Sequence, residues 1–240
     1  MLRIVEHDHS PDAIRTRLAE GHRPSYLRDW IYGAIDGGVT TLAVVSGVVG
    51  GGLPASVILI LGTANVVADG FSMAASNYAG TRAEHEERHH LESVERRHID
   101  QDPDGEREEI RQIFSANGID GEDLERLVTA VTADEQRWVR LMLAHEYGLP
   151  SNVRHPLKAA ATTFAAFTVC GLIPLAPYVI GADEAFRLAV VLTLVVFFLV
   201  GAAKSRFSSI SWWRSGLETL AIGAAAAFMA YAVGMLLRAV

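Results

Sequence analysis

Residues 30–52 read WIYGAIDGGVTTLAVVSGVVGGG and hold one charged side chain, Asp36. A run of this length matches the ~20 residues that an α-helix needs to cross a ~30 Å hydrocarbon core. In lipid the backbone has no water partner, so such a run must be helical. The same pattern recurs along the chain. Residues 53–78 carry only Asp69, 159–180 carry no charge, 185–203 only Arg187, and 220–237 none. Five such runs in 240 residues are too many for the buried helices of a soluble domain, and they predict an all-α membrane protein with five spans.

The charge lies elsewhere. The chain has 28 acidic and 21 basic residues, a formal net charge of −7. Residues 81–150 alone hold 18 acids against 9 arginines, which leaves the remainder slightly basic. The domain reading follows: a polar N-terminal segment over 1–26, two spans over 27–80, an acidic block over 81–150, and three spans over 151–240. The block reads as three helices, 83–100, 106–116 and 120–147, separated by Asp102-Pro103-Asp104-Gly105 and Asn117-Gly118. Arg23 and Arg28 before the first span, and Lys204, Arg206 and Arg214 between the fourth and fifth, put the N-terminus and the acidic block in the cytoplasm. Residues 1–10 have no apolar core of a signal peptide, which points to a plasma (inner) membrane.

Composition also excludes functions. Acidic balance argues against a nucleic-acid partner, which needs clustered Lys and Arg. The single cysteine, Cys170, rules out a Cys-rich metal site and reads as small apolar filling in the third span. Nucleophile elbow, phosphate loop and dinucleotide motif are all missing, so the chain does not read as an enzyme.

Two acids within spans stand out, because an intramembrane carboxylate is costly unless paired, hydrated or neutralised. Asp36 is mid-span, with Thr40 one turn on. Asp69 precedes Met73 by one turn in the second span. A carboxylate beside a thioether suits a first-row transition metal better than Ca²⁺ or Mg²⁺. Taken alone, Met73 reads as packing, and Asp69 reads equally as a proton relay or a helix–helix hydrogen-bond partner. In the acidic block Glu95 and His98, Glu106 and Glu109, and Met142 and Glu146 are pairs at helical spacing that can converge on metal ions, with His85, His89 and His90 upstream. Any single glutamate here reads as solvated surface. Glu95-x-x-His98 and Glu86-x-x-His89 also match the element of di-iron bundles, but both lie on one helix where that site takes them from two.

Taken together these features resemble the vacuolar iron transporter family of divalent-metal/proton antiporters. The resemblance rests on Ile35-Asp36-Gly37-Gly38-Val39-Thr40-Thr41, on Ala68-Asp69-Gly70-Phe71-Ser72-Met73, on the Glu-Arg-Glu-Glu run at 106–109, and on Met142 with Glu146-Tyr147-Gly148-Leu149. It implies a homodimer in lipid with the ion path at the subunit interface. Asp36 and Met73 would be pore ligands, and Glu95, Glu106, Glu109, Met142 and Glu146 cytoplasmic metal ligands. Three positions depart from the family pattern: His98 replaces a glutamate, Leu143 a second methionine, and Asn77 an acid. The implied activity is export of Fe(II), with Mn(II), Co(II) or Zn(II) as further cargo, out of the cytosol against protons. Asp69 and Thr40 are candidates for the proton or ion path. The alternative is a membrane-anchored di-iron protein that oxidises or stores iron.

Overall fold

The computed structural model describes residues 8–20, 24–150, 153–207 and 209–238. Arg23 lies outside them. Every regular element among these residues is helical: α1 (Pro11–Glu20), α2 (Leu27–Gly50), α3 (Ala55–Gln101), α4 (Pro103–Ala116), α5 (Gly121–Thr132), α6 (Glu135–His145), α7 (Pro156–Leu172), α8 (Ala176–Val179), α9 (Ala185–Lys204) and α10 (Trp212–Arg238), with a 3-10 turn at Ser205–Phe207. The chain forms two compact units, Ser25–Thr81 with Arg154–Val240, and Met1–Pro24 with Arg82–Val153.

In the first of these units α2 is the central helix, with Ala34, Leu42 and Val45 fully buried. Glycine permits its close contacts. A Cβ on Gly37 would collide with the backbone of Phe167 in α7, and one on Gly234 in α10 with the carbonyl of Gly47. The Gly33/Gly37 and Gly47/Gly51 spacings therefore act in helix packing, as small residues do in spans. Helices α2, α9 and α10 and the apolar part of α3 are long and apolar enough to cross a membrane.

The third apolar run differs from expectation. It forms α7, 17 residues long, which stops at Leu172 and gives way to turns and the short α8. Pro174 and Pro177 lack the N–H that an uninterrupted helix over 159–180 would need. At 1.5 Å per residue α7 rises roughly 25 Å, the low end for a span.

The acidic unit differs too. Its first helix is the end of α3, which runs unbroken through Ala79-Gly80-Thr81-Arg82 because nothing there stops a helix except a weakly unfavourable glycine. Its last expected helix is two, α5 and α6. The Asp134 side chain accepts a hydrogen bond from Arg137 N (2.7 Å) and caps a new start. Asp102 does the same for α4, accepting from Gly105 N (3.0 Å) with Pro103 in the first turn. Four helical segments thus close around Ile110, Leu124, Val128, Val131, Trp138 and Met142, with Ile99 and Phe114 packed against them.

Candidate functional site

Within the acidic unit, Glu95 and His98 from α3, Glu106 and Glu109 from α4, and Glu146 at the end of α6 are brought within electrostatic reach of one another. Glu95 is 1% exposed and Glu106 5%. Tyr147 donates its hydroxyl to Glu95 Oε1 (2.8 Å), and His98 Nδ1 lies 3.3 Å from Glu106 Oε1. The second oxygens of both carboxylates, Glu95 Oε2 and Glu106 Oε2, are buried without a hydrogen-bond partner. Buried polar groups are normally satisfied, and buried acids normally have a cation beside them.

Four arginines of this unit pair with other acids. Arg96 pairs with Glu92 and Glu135, Arg107 with Asp104, Arg111 with Glu108 and Glu125, and Arg126 with Glu122 and Asp123. None of the arginine ion pairs among the described residues reaches Glu95, Glu106, Glu109 or Glu146. A solvated acidic surface would show the reverse, with exposed carboxylates paired to their helix neighbours, and that is how Glu86, Glu108 and Glu122 behave.

The electrostatic result is specific. Burial, then the charges of Glu95 and Glu109, push Glu106 up to about 7. His98 works against that rise, and Glu146 adds to it. Burial and the same neighbouring acids raise Glu146 as well, opposed by its hydrogen bond to Tyr147 and by His98. Burial and the bond to Glu95 hold the Tyr147 hydroxyl in its protonated form. Glu109 and Glu146 line one cleft together with Glu108, Gln112 and Ile113. Among the described residues no group of three or more His, Cys, Asp or Glu side chains is arranged, as it stands, to hold a metal ion. Met142 is fully buried in the apolar core beside Ile110 and Trp138. Leu143 is buried as well. His89 stays on the surface, 3.9 Å from Glu92, with His90 exposed too.

In the membrane-type unit Asp36 is half-buried on α2 and makes no ion pair among the described residues; Asp69 of α3 lies within electrostatic reach. Met73 is half-buried, and Asp69 is exposed on the single chain. Asp69 shares that exposure with Leu61, Val67 and Phe71. Thr40 donates its hydroxyl to the Asp36 carbonyl (2.8 Å) and accepts from Asn65 Nδ2 (3.3 Å), so its oxygen is committed to helix contacts.

The sequence alone does not reveal a second buried acid. Asp29, 1% exposed, pairs with Arg154 at 2.5 Å. The Asn77 amide donates to Asp29 Oδ1 (2.9 Å) and to Thr163 Oγ1 (2.7 Å). Asp29 is the last charge before the first apolar run, and Arg154 precedes Lys158, the last charge before the third. That placement is the only sequence signal of the pair.

Comparison with known proteins places these features. Residues 27–235 match the model of the VIT family. The chain is 31% identical over 217 residues to vacuolar iron transporter 2 of Oryza sativa subsp. japonica, covering 89% of this chain and 88% of that one. It is 32% identical over 219 residues to vacuolar iron transporter 1 of Tulipa gesneriana, with the same coverage. Against the vacuolar iron transporter of Toxoplasma gondii it is 30% identical over 227 residues, covering 90% of this chain and 75% of the relative. The chain belongs to the VIT family.

Proposed function

We propose that this member of the family transports iron across a membrane, taking Fe(II) from the cytosol in exchange for protons, with Mn(II), Co(II) and Zn(II) as further cargo. The observation that carries the reading is the arginine-free set of Glu95, Glu106, Glu109 and Glu146, of which the first two are buried. Two buried carboxylate oxygens without partners beside further acids form a site that gains stability from a divalent cation. His98 adds a nitrogen donor at its edge, and the fully buried Met142 lies in the core of the same unit. The cluster raises the local cation concentration, which is how an acidic surface feeds a narrow entrance.

Within the membrane Asp36 is the ligand that alternates between metal and proton, supported by Met73 and Asp69. Asp69 sits exposed among apolar residues, a poor arrangement for lipid, which favours coverage by a second copy and an ion path at a homodimer interface. Five spans, including the short α7, and cytoplasmic placement of the acidic unit belong to the same proposal. The named relatives are vacuolar, and a plasma-membrane location rests on the sequence pattern alone. The di-iron alternative is weaker, because the Glu-x-x-His element comes from α3 alone.

Vectorial uptake tests the proposal. Purified protein in proteoliposomes with a pH gradient is offered Fe(II), Mn(II), Co(II) and Zn(II) in turn. Gradient-dependent accumulation of Fe(II) is expected. Stoichiometric binding with no accumulation would overturn transport and restore the storage reading.

A further inference from the structure

Helix α3 meets its neighbours through side chains. Leu175 covers Gly62, and Phe164 and Phe167 cover Gly70. Helices in lipid have little hydrophobic force to fix their register, so packing shape and interhelical hydrogen bonds must do so. Two asparagine amides supply such bonds. Asn65 donates to Thr40 (3.3 Å), and Asn77 donates to Asp29 (2.9 Å) and Thr163 (2.7 Å). Positions 29 and 40 on α2, and 65 and 77 on α3, are each about three turns apart. The helices run antiparallel, so the two ties define a single register.

That register decides which residues meet. One turn inward from the Asn65–Thr40 tie, Asp69 comes opposite Asp36. One turn inward from the Asn77–Asp29 tie lie Met73 on α3 and Gly33 on α2, whose bare face packs against Thr163 and Phe167 of α7. The acids and the thioether are thus bracketed between the two amides.

The far tie is anchored more firmly than the near one. Asp29 Oδ1 accepts from both Asn77 and Arg154, and Thr163 Oγ1 lies 3.3 Å from the Asp29 carbonyl. The Asn77 side-chain oxygen accepts in turn from Thr81 (3.4 Å). An ion-paired carboxylate held in this way is a fixed acceptor and not a mobile ligand.

We propose that Asn65 and Asn77 are positioning residues that hold α3 in register against α2, with Asp29, Arg154 and Thr163 as the anchor for Asn77. The inference rests on the transport reading for its consequence, though not for its geometry. An acid at position 77 would face the Asp29 carboxylate and lose both donated bonds, so the amide matches an anchor that is itself acidic.

The test uses the full chain in proteoliposomes with two readouts. The first is Fe(II) flux by Asn65→Ala and Asn77→Ala. The second reads register directly, by cross-linking Val44→Cys to Leu61→Cys with a short bis-thiol reagent in a Cys170→Ala background. Those positions lie one turn beyond the Thr40–Asn65 tie. Each alanine variant is expected to lower the maximal rate by about tenfold or more, with the half-saturating Fe(II) within about twofold of parent, since small misplacements of a site cost that much. Cross-link yield should fall with it.

The conservative variant Asn77→Gln keeps a donating amide and leaves the Asp29–Arg154 pair intact, and should recover part of both readouts relative to Asn77→Ala. It also separates loss of the tie from failure to fold. Parental flux and cross-linking in both alanine variants would overturn the proposal. So would lost flux with an unchanged cross-link, which would assign the amides to the ion itself, or an Asn77→Gln variant no better than Asn77→Ala. If the parent moves no Fe(II), the transport reading fails, and the cross-link alone decides the register.

Discussion

Lowering the pH should release metal from the acidic unit through Glu106. Its carboxyl sits at about 7, raised by burial and by Glu95 and Glu109, and only the ionised form binds a cation. For one proton competing with one metal, the ionised fraction falls from about nine-tenths at pH 8 to about one-tenth at pH 6, so the apparent affinity falls about tenfold. Burial and the same neighbours raise Glu146 in the same direction. Calorimetric titration of the full chain with Co(II) at pH 8, 7 and 6 measures it, and Glu106→Gln is the control. The amide cannot titrate, so the variant should bind more weakly at pH 8 and show a shallower slope.

The stability of the metal-free protein provides an independent sign. The native value lies above the ordinary 4.5, so the contribution is complete below 4.5 and lost as the pH rises through 7. It amounts to about 3 kcal/mol for this nearly buried side chain. Metal-free parent should therefore lose thermal stability between pH 5 and 8 more than Glu106→Gln does. Equal slopes for parent and variant in both measurements would refute the assignment.

Three further outcomes are expected. His98→Glu removes the one neighbour that restrains Glu106 and adds a like charge, so the calorimetric midpoint of metal loss should move to higher pH. Met142→Ala should destabilise the acidic unit by about 2–5 kcal/mol as a core cavity, whereas Met142→Leu should cost less than about 1.5 kcal/mol; an affinity loss in Met142→Leu at unchanged melting temperature would identify the sulfur as a ligand. Asp36→Asn should abolish Fe(II) flux in proteoliposomes while leaving size-exclusion behaviour unchanged, and near-parental flux would remove Asp36 from the path.

The parts of the fold legible in the sequence were those where one physical demand dominates a whole segment. Lipid excludes charge over about 20 residues, so α2, α9 and α10 show as blank runs. The pairs Glu95/His98, Glu106/Glu109 and Met142/Glu146 show because helical spacing is a short-range property. Boundaries set by one side chain were harder to read. The break at Asp134 depends on a single cap, and the end of α7 on prolines within an otherwise apolar run. The continuity of α3 is hidden because charge changes sharply near Thr81 while helix propensity does not.

Burial was the least legible quantity, and it redistributes the chemistry. From residue types alone, pH sensitivity belongs to His98, whose ordinary value lies near 6.5. The structure leaves His98 half exposed and buries Glu106, so a carboxyl responds near neutrality, with the imidazole beside it opposing the rise. The same logic separates the two acids of α2. Asp29 and Arg154 are 125 positions apart in sequence, and only the packing of α2 on α7 joins them. Once paired, Asp29 is fixed in place by Arg154 and Asn77. Asp36, two turns further along the same helix, has no cation among the described residues to neutralise it. A buried carboxylate with a partner holds helices together, and one without a partner needs a proton or a metal. On that difference Asp36, rather than Asp29, is the acid of α2 that the proposed exchange would use.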